Sequence, residues 1–240
     1  MIGPSTTSTV GRRDRLRAET TAEIKELAWE VMAESGPAGL SLRAVARQMG
    51  MAPSALYRYF PSRDDLLTAL IIDGFDSLGS ALHAAYAEAK RETPKLPAGE
   101  AFVRVALAYR QWALASPTAY GLIFGSAVPG YTGTEATTEA SMRSTAALMQ
   151  TMLDLVAEGG LAVERITPRL TPKLIEELNG WVDCGDGTLP VEALAAAMEC
   201  YATLHGVLSL EVNRHLPDSL SSSASLFEFA IRDVHSRISR

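Results

Sequence analysis

The chain has 240 residues, of which 47% are apolar and 21% are charged, so a collagen, a disordered tail and a disulfide scaffold are excluded. This length allows one or two domains with a substantial core. The two cysteines, Cys184 and Cys200, form no C-x-x-C pair, which favours a reducing compartment. No segment predicts a membrane span or a signal peptide, so we expect a cytoplasmic protein.

The net charge of −6 is distributed unevenly. Residues 1–63 contain nine basic and six acidic residues, whereas the remainder contains thirteen basic and twenty-two acidic ones. Residues 41–63 include four arginines and no acidic residue. A basic segment on an acidic chain is typical of a DNA-binding module joined to another domain, although a solvated helix surface has the same composition.

The first residues of the chain predict a disordered tail over 1–11, because this stretch is rich in Ser, Thr and Gly. Four arginines follow, and they can either form an arm that touches phosphate or the minor groove, or serve as a solubilising helix start: Arg12, Arg13, Arg15 and Arg17. We favour the solubilising role.

A first helix is predicted over about 14–35, because four apolar residues have the i, i+3, i+4, i+7 spacing: Ile24, Leu27, Ala28 and Val31. Gly36 and Pro37 end it. A second helix has Ser41 as its N-cap, and Gly50 suits the left-handed turn at its end.

The third helix is predicted from Pro53 to Phe60, because proline is tolerated in a first turn and Pro61 prevents continuation. Leu56 and Phe60 point inward at i, i+4 spacing. Ser62 to Asp65 then resembles a capping box at the start of a long fourth helix. Three helices with a tight glycine turn between the last two predict a helix-turn-helix, with its motif at about 41–60.

The outer surface of this motif has the side chains that a DNA contact needs. Pro53, Ser54 and Ala55 are small residues at a helix start, where base edges are approached in the major groove. Side chains with hydroxyl or guanidinium donors surround them and suit backbone phosphates: Ser41, Arg43, Tyr57, Arg58, Tyr59 and Arg63. Each of these residues also has an ordinary packing or ion-pairing role, and their convergence on one face favours DNA.

The stretch SLRAVARQMGMAPSALYRYFPSRDDLLTALI resembles the DNA-binding domain of the tetracycline-repressor (TetR) family, and the similarity extends from about residue 16 to residue 75. The resemblance implies an all-helical homodimer with an N-terminal DNA-binding domain and a C-terminal ligand-binding and dimerisation domain. It assigns DNA contacts to Ser41 and Arg43, and base reading to residues 53–55. It assigns phosphate contacts to Tyr57 and Tyr59. Histidine is common at the position of Tyr59, and lysine is usual at that of Arg63.

The rest of the chain predicts further helices over about 64–90, 100–115, 117–124 and 137–158, the first of them interrupted by Gly74 and Gly79. Residues 159–190 are rich in glycine and proline turns, and the sequence predicts one small helix there without clear bounds. The last two helices, at about 190–216 and 223–239, have apolar stripes, which predict a homodimer seam or an internal core: Leu194, Met198, Tyr201, His205, Leu208 and Val212, and Phe227, Ile231, Val234 and Ile238. We favour the dimer, because a helix-turn-helix protein binds a palindrome through two-fold symmetry.

The segment from Tyr201 to Gly206 is similar to a C-terminal WHG-type subclass of the family, with tyrosine where tryptophan is usual. Aromatic and methionine side chains predict either a pocket for an apolar ligand or a plain core: Phe102, Tyr109, Trp112, Tyr120, Phe124, Met142, Met149, Trp181 and His205.

Together these patterns predict an all-α protein with a disordered tail at 1–11, a helix-turn-helix domain at 12–62 and a helical effector-binding and dimerisation domain at 63–240. The expected function is a transcriptional repressor that binds a palindromic double-stranded operator and is released by an unknown small molecule. An activator, or a regulator without a ligand, is the alternative. No catalytic motif, cofactor or metal-like spacing is found, so we expect no enzyme. A partner-binding helical protein that does not need DNA is a third hypothesis.

Overall fold

The computed structural model describes residues 11–92, 94–184, 189–217, 219–220 and 223–240, and for residues 181–184 it describes the backbone only. Residues 1–10 of the predicted tail at 1–11 lie outside these ranges. Eleven α-helices are present in the described part of the chain: α1 (Arg12–Gly39), α2 (Leu42–Gln48), α3 (Pro53–Leu56), α4 (Arg63–Arg91), α5 (Ala98–Ala115), α6 (Pro117–Phe124), α7 (Glu135–Ala157), α8 (Val163–Ile166), α9 (Pro172–Cys184), α10 (Val191–Val212) and α11 (Ser223–Ile238). The predicted all-α fold class is confirmed.

The chain divides into two compact units. The first consists of the described residues up to Gly74 together with Thr118–Thr137, and the second consists of Phe75–Pro117 and Thr138–Arg240. The boundary falls inside α4, which is one continuous helix. The first unit therefore contains the predicted helix-turn-helix, and the second contains α5, most of α7, and α8 to α11.

The core of the first unit is formed by the apolar faces of α1, α2, α3 and the start of α4. Its members are almost fully buried: Ile24, Ala28, Val45, Ala46, Leu56, Leu66, Leu67 and Leu70. Gly36 has a φ of 71° and interrupts the helical backbone of α1 one residue before Pro37. The predicted end of the first helix is therefore confirmed as a kink, after which Pro37–Gly39 form one more turn.

Helix α3 is shorter than the sequence predicts. It spans Pro53–Leu56 instead of continuing to Phe60. The amides of Arg58 and Tyr59 bond carbonyls three residues back, at 3.3 and 2.9 Å, so the backbone tightens into turns. Pro61 disfavours the α conformation at Phe60, the residue before it, so the helix does not resume after these turns.

Helix α4 is not interrupted at Gly74 or Gly79, contrary to the expectation from sequence. Each glycine lies where a second helix of its own unit comes close. A β-carbon at Gly74 would lie 3.1 Å from Cγ2 of Ile123, and one at Gly79 would lie 3.1 Å from the Cα of Ser144. Because they lack a β-carbon, Gly74 allows α6 and Gly79 allows α7 to pack closely against α4, and neither glycine breaks the helix.

Helices α5, α10 and α11 pack together as the core of the second unit. The apolar stripe of α11 lies inside this core, with Phe227, Ile231, Val234 and Ile238 each at most 1% exposed. The prediction that this stripe forms a dimer seam is therefore wrong. It packs within the chain, because the same 3–4 spacing serves any helix that faces another helix.

Helix α10 is long and apolar enough to cross a membrane, with a mean hydropathy of 1.3 over its best window, and it is the one such helix in the described part of the chain. Its Glu211 forms a bidentate ion pair with Arg110 of α5. The carboxylate and the packing against α5 and α11 are typical of a core helix rather than a membrane span.

Candidate nucleic-acid interface and apolar cavity

The turn between α2 and α3 is fixed by local chemistry. The hydroxyl of Ser41 accepts a hydrogen bond from the amide of Ala44 at 3.1 Å and caps α2, as predicted. Gly50 has a φ of 64°, the left-handed conformation that favours glycine. Pro53 then opens α3. This geometry places α3 across α2 with its first residues at the surface.

The residues predicted to contact DNA differ in exposure. Four are exposed: Arg43, Pro53, Ser54 and Arg58. Tyr57 is also exposed, at 45%. Ser41, Ala55 and Tyr59 are half-buried, whereas Leu56 and Phe60 point into the core as predicted. The start of α3 and the donors around it are therefore at least partly accessible to solvent.

Arg63 has a different environment from the other arginines. Its Nε donates to the carbonyl of Leu40 at 2.9 Å, and its Nη2 donates to the carbonyl of Pro37 at 3.1 Å. The side chain is 28% exposed. These bonds use guanidinium donors to hold the chain between α1 and α2, so Arg63 is built into the unit where the sequence suggested a phosphate contact.

Arg17 contacts the end of the helix-turn-helix. Its Nη2 donates to the carbonyl of Arg58 at 3.3 Å, and its guanidinium lies 5.4 Å from the centroid of the Tyr59 ring. A cation over an aromatic face is attracted by the ring quadrupole. The sequence gives no signal for this contact, because the partners are more than forty positions apart.

The basic residues before and after position 63 differ in how many of them form ion pairs. Among the described residues, ten of the thirteen basic side chains after position 63 form ion pairs, but only Lys25 and Arg63 do so among the nine up to that position. Within the described chain, the following arginines have no carboxylate partner: Arg12, Arg13, Arg15, Arg17, Arg43, Arg47 and Arg58. Their charge is available to a polyanion.

An apolar cavity of about 520 Å³ lies within the second unit, between α5, α7 and α10. Among the described residues that line it, none has a charged side chain: Phe102, Ser141, Met142, Thr145, Leu148, Met149, Met152, Leu194, Ala197, Met198, Cys200, Tyr201 and Leu204. Thr145 donates to backbone carbonyls of its own helix, so the wall has few free polar groups.

Three of the predicted pocket residues line this cavity: Phe102, Met142 and Met149. The others do not belong to one site. Tyr120 and Phe124 lie in the first unit, where their rings are 5.4 Å apart. The indole of Trp112 donates to the hydroxyl of Ser77, and the side chain of Trp181 lies outside the described residues.

His205 is a core histidine beside the cavity wall. Its Nε2 lies 3.0 Å from the hydroxyl of Tyr109, and its ring packs edge-on against Tyr201 at 4.5 Å. Burial lowers the pKa of His205 to about 4, so the ring is neutral near pH 7. Burial also raises the pKa of the Cys200 thiol to about 12, which makes this cysteine unreactive. Among the described residues, no three His, Cys, Asp or Glu side chains are grouped as metal ligands.

Taken together, the structure defines an all-helical protein with an N-terminal helix-turn-helix, an exposed surface of unpaired arginines and a separate helical unit with a cavity. Comparison with known proteins agrees. Residues 24–70 match bacterial regulatory proteins of the tetR family, and residues 102–234 match the tetracyclin repressor-like C-terminal domain.

An HTH-type transcriptional regulator from Mycobacterium bovis is 40% identical over 125 residues, which cover 52% of this chain and 52% of that protein. The chain thus spans about half the length of the curated relatives that it matches. The crystal structure of a regulatory protein, SCO4313, is 35% identical, covers 94% of this chain and 98% of that one, and has a TM-score of 0.77. A TetR/AcrR regulator from Thermobifida fusca is 20% identical, with coverages of 90% and 97% and a TM-score of 0.55, and shows the fold alone. The chain belongs to the TetR family.

Proposed function

We propose that this protein is a DNA-binding transcriptional regulator, and that it acts as a repressor on a palindromic operator. The observation that carries this proposal is the set of unpaired arginines beside the exposed start of α3. Neutralising phosphates with arginine releases counterions, which supplies most of the binding free energy of such modules. Arginines that are free of carboxylates bind phosphate without first breaking an ion pair.

The proposed roles follow exposure. Ser54, with Pro53 and Ala55 beside it, approaches base edges in the major groove, where a hydroxyl donates or accepts and a methyl group contacts thymine. The other side chains bind the backbone and fix the register: Ser41, Arg43, Tyr57, Arg58 and Tyr59. Arg63 supports this surface by holding the residues that lead into α2.

A homodimer through α10 and α11 presents two such surfaces to successive major grooves, about 34 Å apart. The face of α10 that remains exposed carries Met198, Ala202, Gly206 and Leu210 at four-residue spacing. On α11, Phe229 is 67% exposed. An apolar stripe with small residues at its centre suits close contact between identical helices. Contiguous exposed apolar side chains also favour association.

We further propose that the cavity between α5, α7 and α10 binds the effector. Its apolar, uncharged wall suits an uncharged hydrophobic molecule, since an unpaired charge is costly to bury there. The effector releases DNA only if it binds the non-binding conformation more tightly than the DNA-bound one.

The test is selection of duplexes from a random pool by the purified protein, repeated with candidate hydrophobic molecules. We expect a palindromic consensus with strongly salt-dependent affinity, and loss of binding when an effector is present. Ala197→Phe, which fills the cavity, should abolish the response to the effector while DNA affinity stays unchanged. If no duplex is enriched, the DNA-binding function is refuted. An effect of Tyr57→Ala or Arg58→Ala on DNA binding distinguishes this function from a partner-binding role.

A further inference from the structure

A groove of about 720 Å³ lies between the start of α1 and the helix-turn-helix. The α1 side includes Arg12, Arg13 and Arg17, and the opposite side includes Ala55 and Arg58. Asp14 is the one acidic residue among the described residues that line the groove. Four arginines therefore converge with a single carboxylate on a concave surface of the first unit.

The groove is continuous with the surface proposed to contact DNA. Ala55 belongs to the start of α3, which we assign to base reading, and Arg58 is assigned to the backbone. If a DNA base lies near Ala55, the phosphates next to it on the same DNA strand would therefore lie close to the groove. Arg12 and Arg13 are exposed and have no ion-pair partner in the described chain, so their guanidinium groups are free to bind phosphate oxygens in bidentate fashion.

Two further features favour an anion at this place. Helix α1 begins at Arg12, so its N-terminus lies at the groove. The helix dipole is positive at this end, which favours an anion there. Arg17 is fixed from both sides, by its bond to the carbonyl of Arg58 and by the Tyr59 ring. This contact ties α1 to the end of the motif and holds the two walls of the groove together.

We propose that the DNA contact surface continues from α3 onto the first turn of α1, where Arg12 and Arg13 bind a backbone phosphate that flanks the bases read by α3. Arg17 acts as a positioning residue for Arg58 and Tyr59. This inference rests on the proposed DNA-binding function. It assigns a DNA contact to arginines that the sequence alone favoured as solubilising.

The experiment uses the full chain and a duplex obtained by selection, with affinity measured over a series of salt concentrations. Arg12→Ala and Arg13→Ala are made singly and together. Arg15→Ala is the matched control, because Arg15 has the same charge in the same turns of α1 but does not line the groove. Ethylation interference on wild type and on the double variant identifies the phosphates that the groove contacts.

We expect each groove variant to lower the slope of log affinity against log salt by about one, and the double variant to weaken binding about tenfold or more at low salt. Interference at a phosphate outside the base-reading segment should disappear in the double variant, and Arg15→Ala should behave like wild type. If wild type binds and the double variant has the same slope and interference pattern, this inference fails while the DNA-binding function stands. If Arg13→Ala and Arg15→Ala lose equal DNA affinity, the effect comes from overall positive charge and not from the groove. This outcome would also contradict the inference. If wild type binds no duplex, the proposed function itself fails.

Discussion

At the scale of single residues, the arginines of the first unit fall into two groups. Arg43 and Arg58 project from α2 and from the turn after α3 without ion-pair partners in the described chain. Arg63 instead donates to the carbonyls of Leu40 and Pro37. The same residue type thus serves two purposes, and the difference is set by which backbone groups lie within reach.

Replacing Arg63 should therefore affect folding more than DNA contact. Arg63→Ala leaves the carbonyls of Leu40 and Pro37 without these donors, and we expect the free energy of unfolding to fall by about 1–3 kcal/mol. Arg47→Ala, an exposed and unpaired control, should change it by less than about 0.5 kcal/mol. Chemical denaturation measures both. If the stability of Arg63→Ala is unchanged and its slope of log DNA affinity against log salt falls by about one, Arg63 binds a phosphate directly instead.

His205 makes stability depend on pH. Burial between Tyr109 and Tyr201 lowers its pKa from 6.5 to about 4, so the folded state prefers the neutral ring and the unfolded state binds the proton first. Stability from this group is therefore complete above about pH 6.5 and falls as the pH decreases toward 4. Allowing for partial exposure, the loss is about 2 kcal/mol.

The measurement is the free energy of unfolding at several pH values between about 5 and 7, a range above the usual pKa of carboxyl groups. His205→Gln should reduce the dependence, and the remainder is expected from His235, whose pKa burial also lowers. The exposed His215→Gln is the control. An equal slope in wild type and His205→Gln would contradict this assignment.

At the scale of elements, the link between α2 and α3 depends on Gly50. Its φ of 64° is strained for any residue with a β-carbon, even though the space around it is open. Gly50→Ala should lower the free energy of unfolding by about 1–2 kcal/mol, and DNA affinity should fall with it because α3 is displaced.

Gly121→Ala is the matched control for this substitution. Gly121 lies in helix α6 of the same unit, with nothing near an added β-carbon, and its φ is not positive. The alanine should therefore stabilise the protein by up to about 1 kcal/mol. Changes of the same sign in both variants would show that backbone conformation at Gly50 is not the cause.

At the scale of the whole molecule, the proposed assembly rests on the exposed face of α10. Gly206 lies at its centre, and a β-carbon there would have no neighbour within 4 Å in the described part of the chain. Gly206→Trp should therefore leave the fold of the single chain intact but prevent close approach of a second α10. We expect dissociation of the dimer in sedimentation velocity and a large loss of operator affinity, since each half-site is then bound separately.

Gly180→Trp is the control, because Gly180 is equally open but lies on α9. It should remain dimeric. A monomeric wild type, or a Gly206→Trp variant that dimerises as wild type does, would refute this interface.

The local chemistry of the sequence determined much of the first unit. The Ser41 cap, the Gly50 turn, the proline at the start of α3 and the Ser62–Asp65 pair are each set by neighbours within a few positions, and the structure contains all of them. The helix-turn-helix and the family were accessible from sequence for the same reason, since an ordered run of such signals specifies one local geometry.

Only the tertiary structure decided which contacts join distant segments. The stripe of α11 predicted a packed face but not its partner, which is the core of its own unit rather than a second chain. Gly74 and Gly79 read as helix breakers until the close approach of α6 and α7 is known. Arg17 meets Tyr59, and Arg63 meets Leu40, because chain folding brings together groups that no periodicity relates. Periodicity records that a face is buried, whereas the identity of the covering group depends on the path of the whole chain.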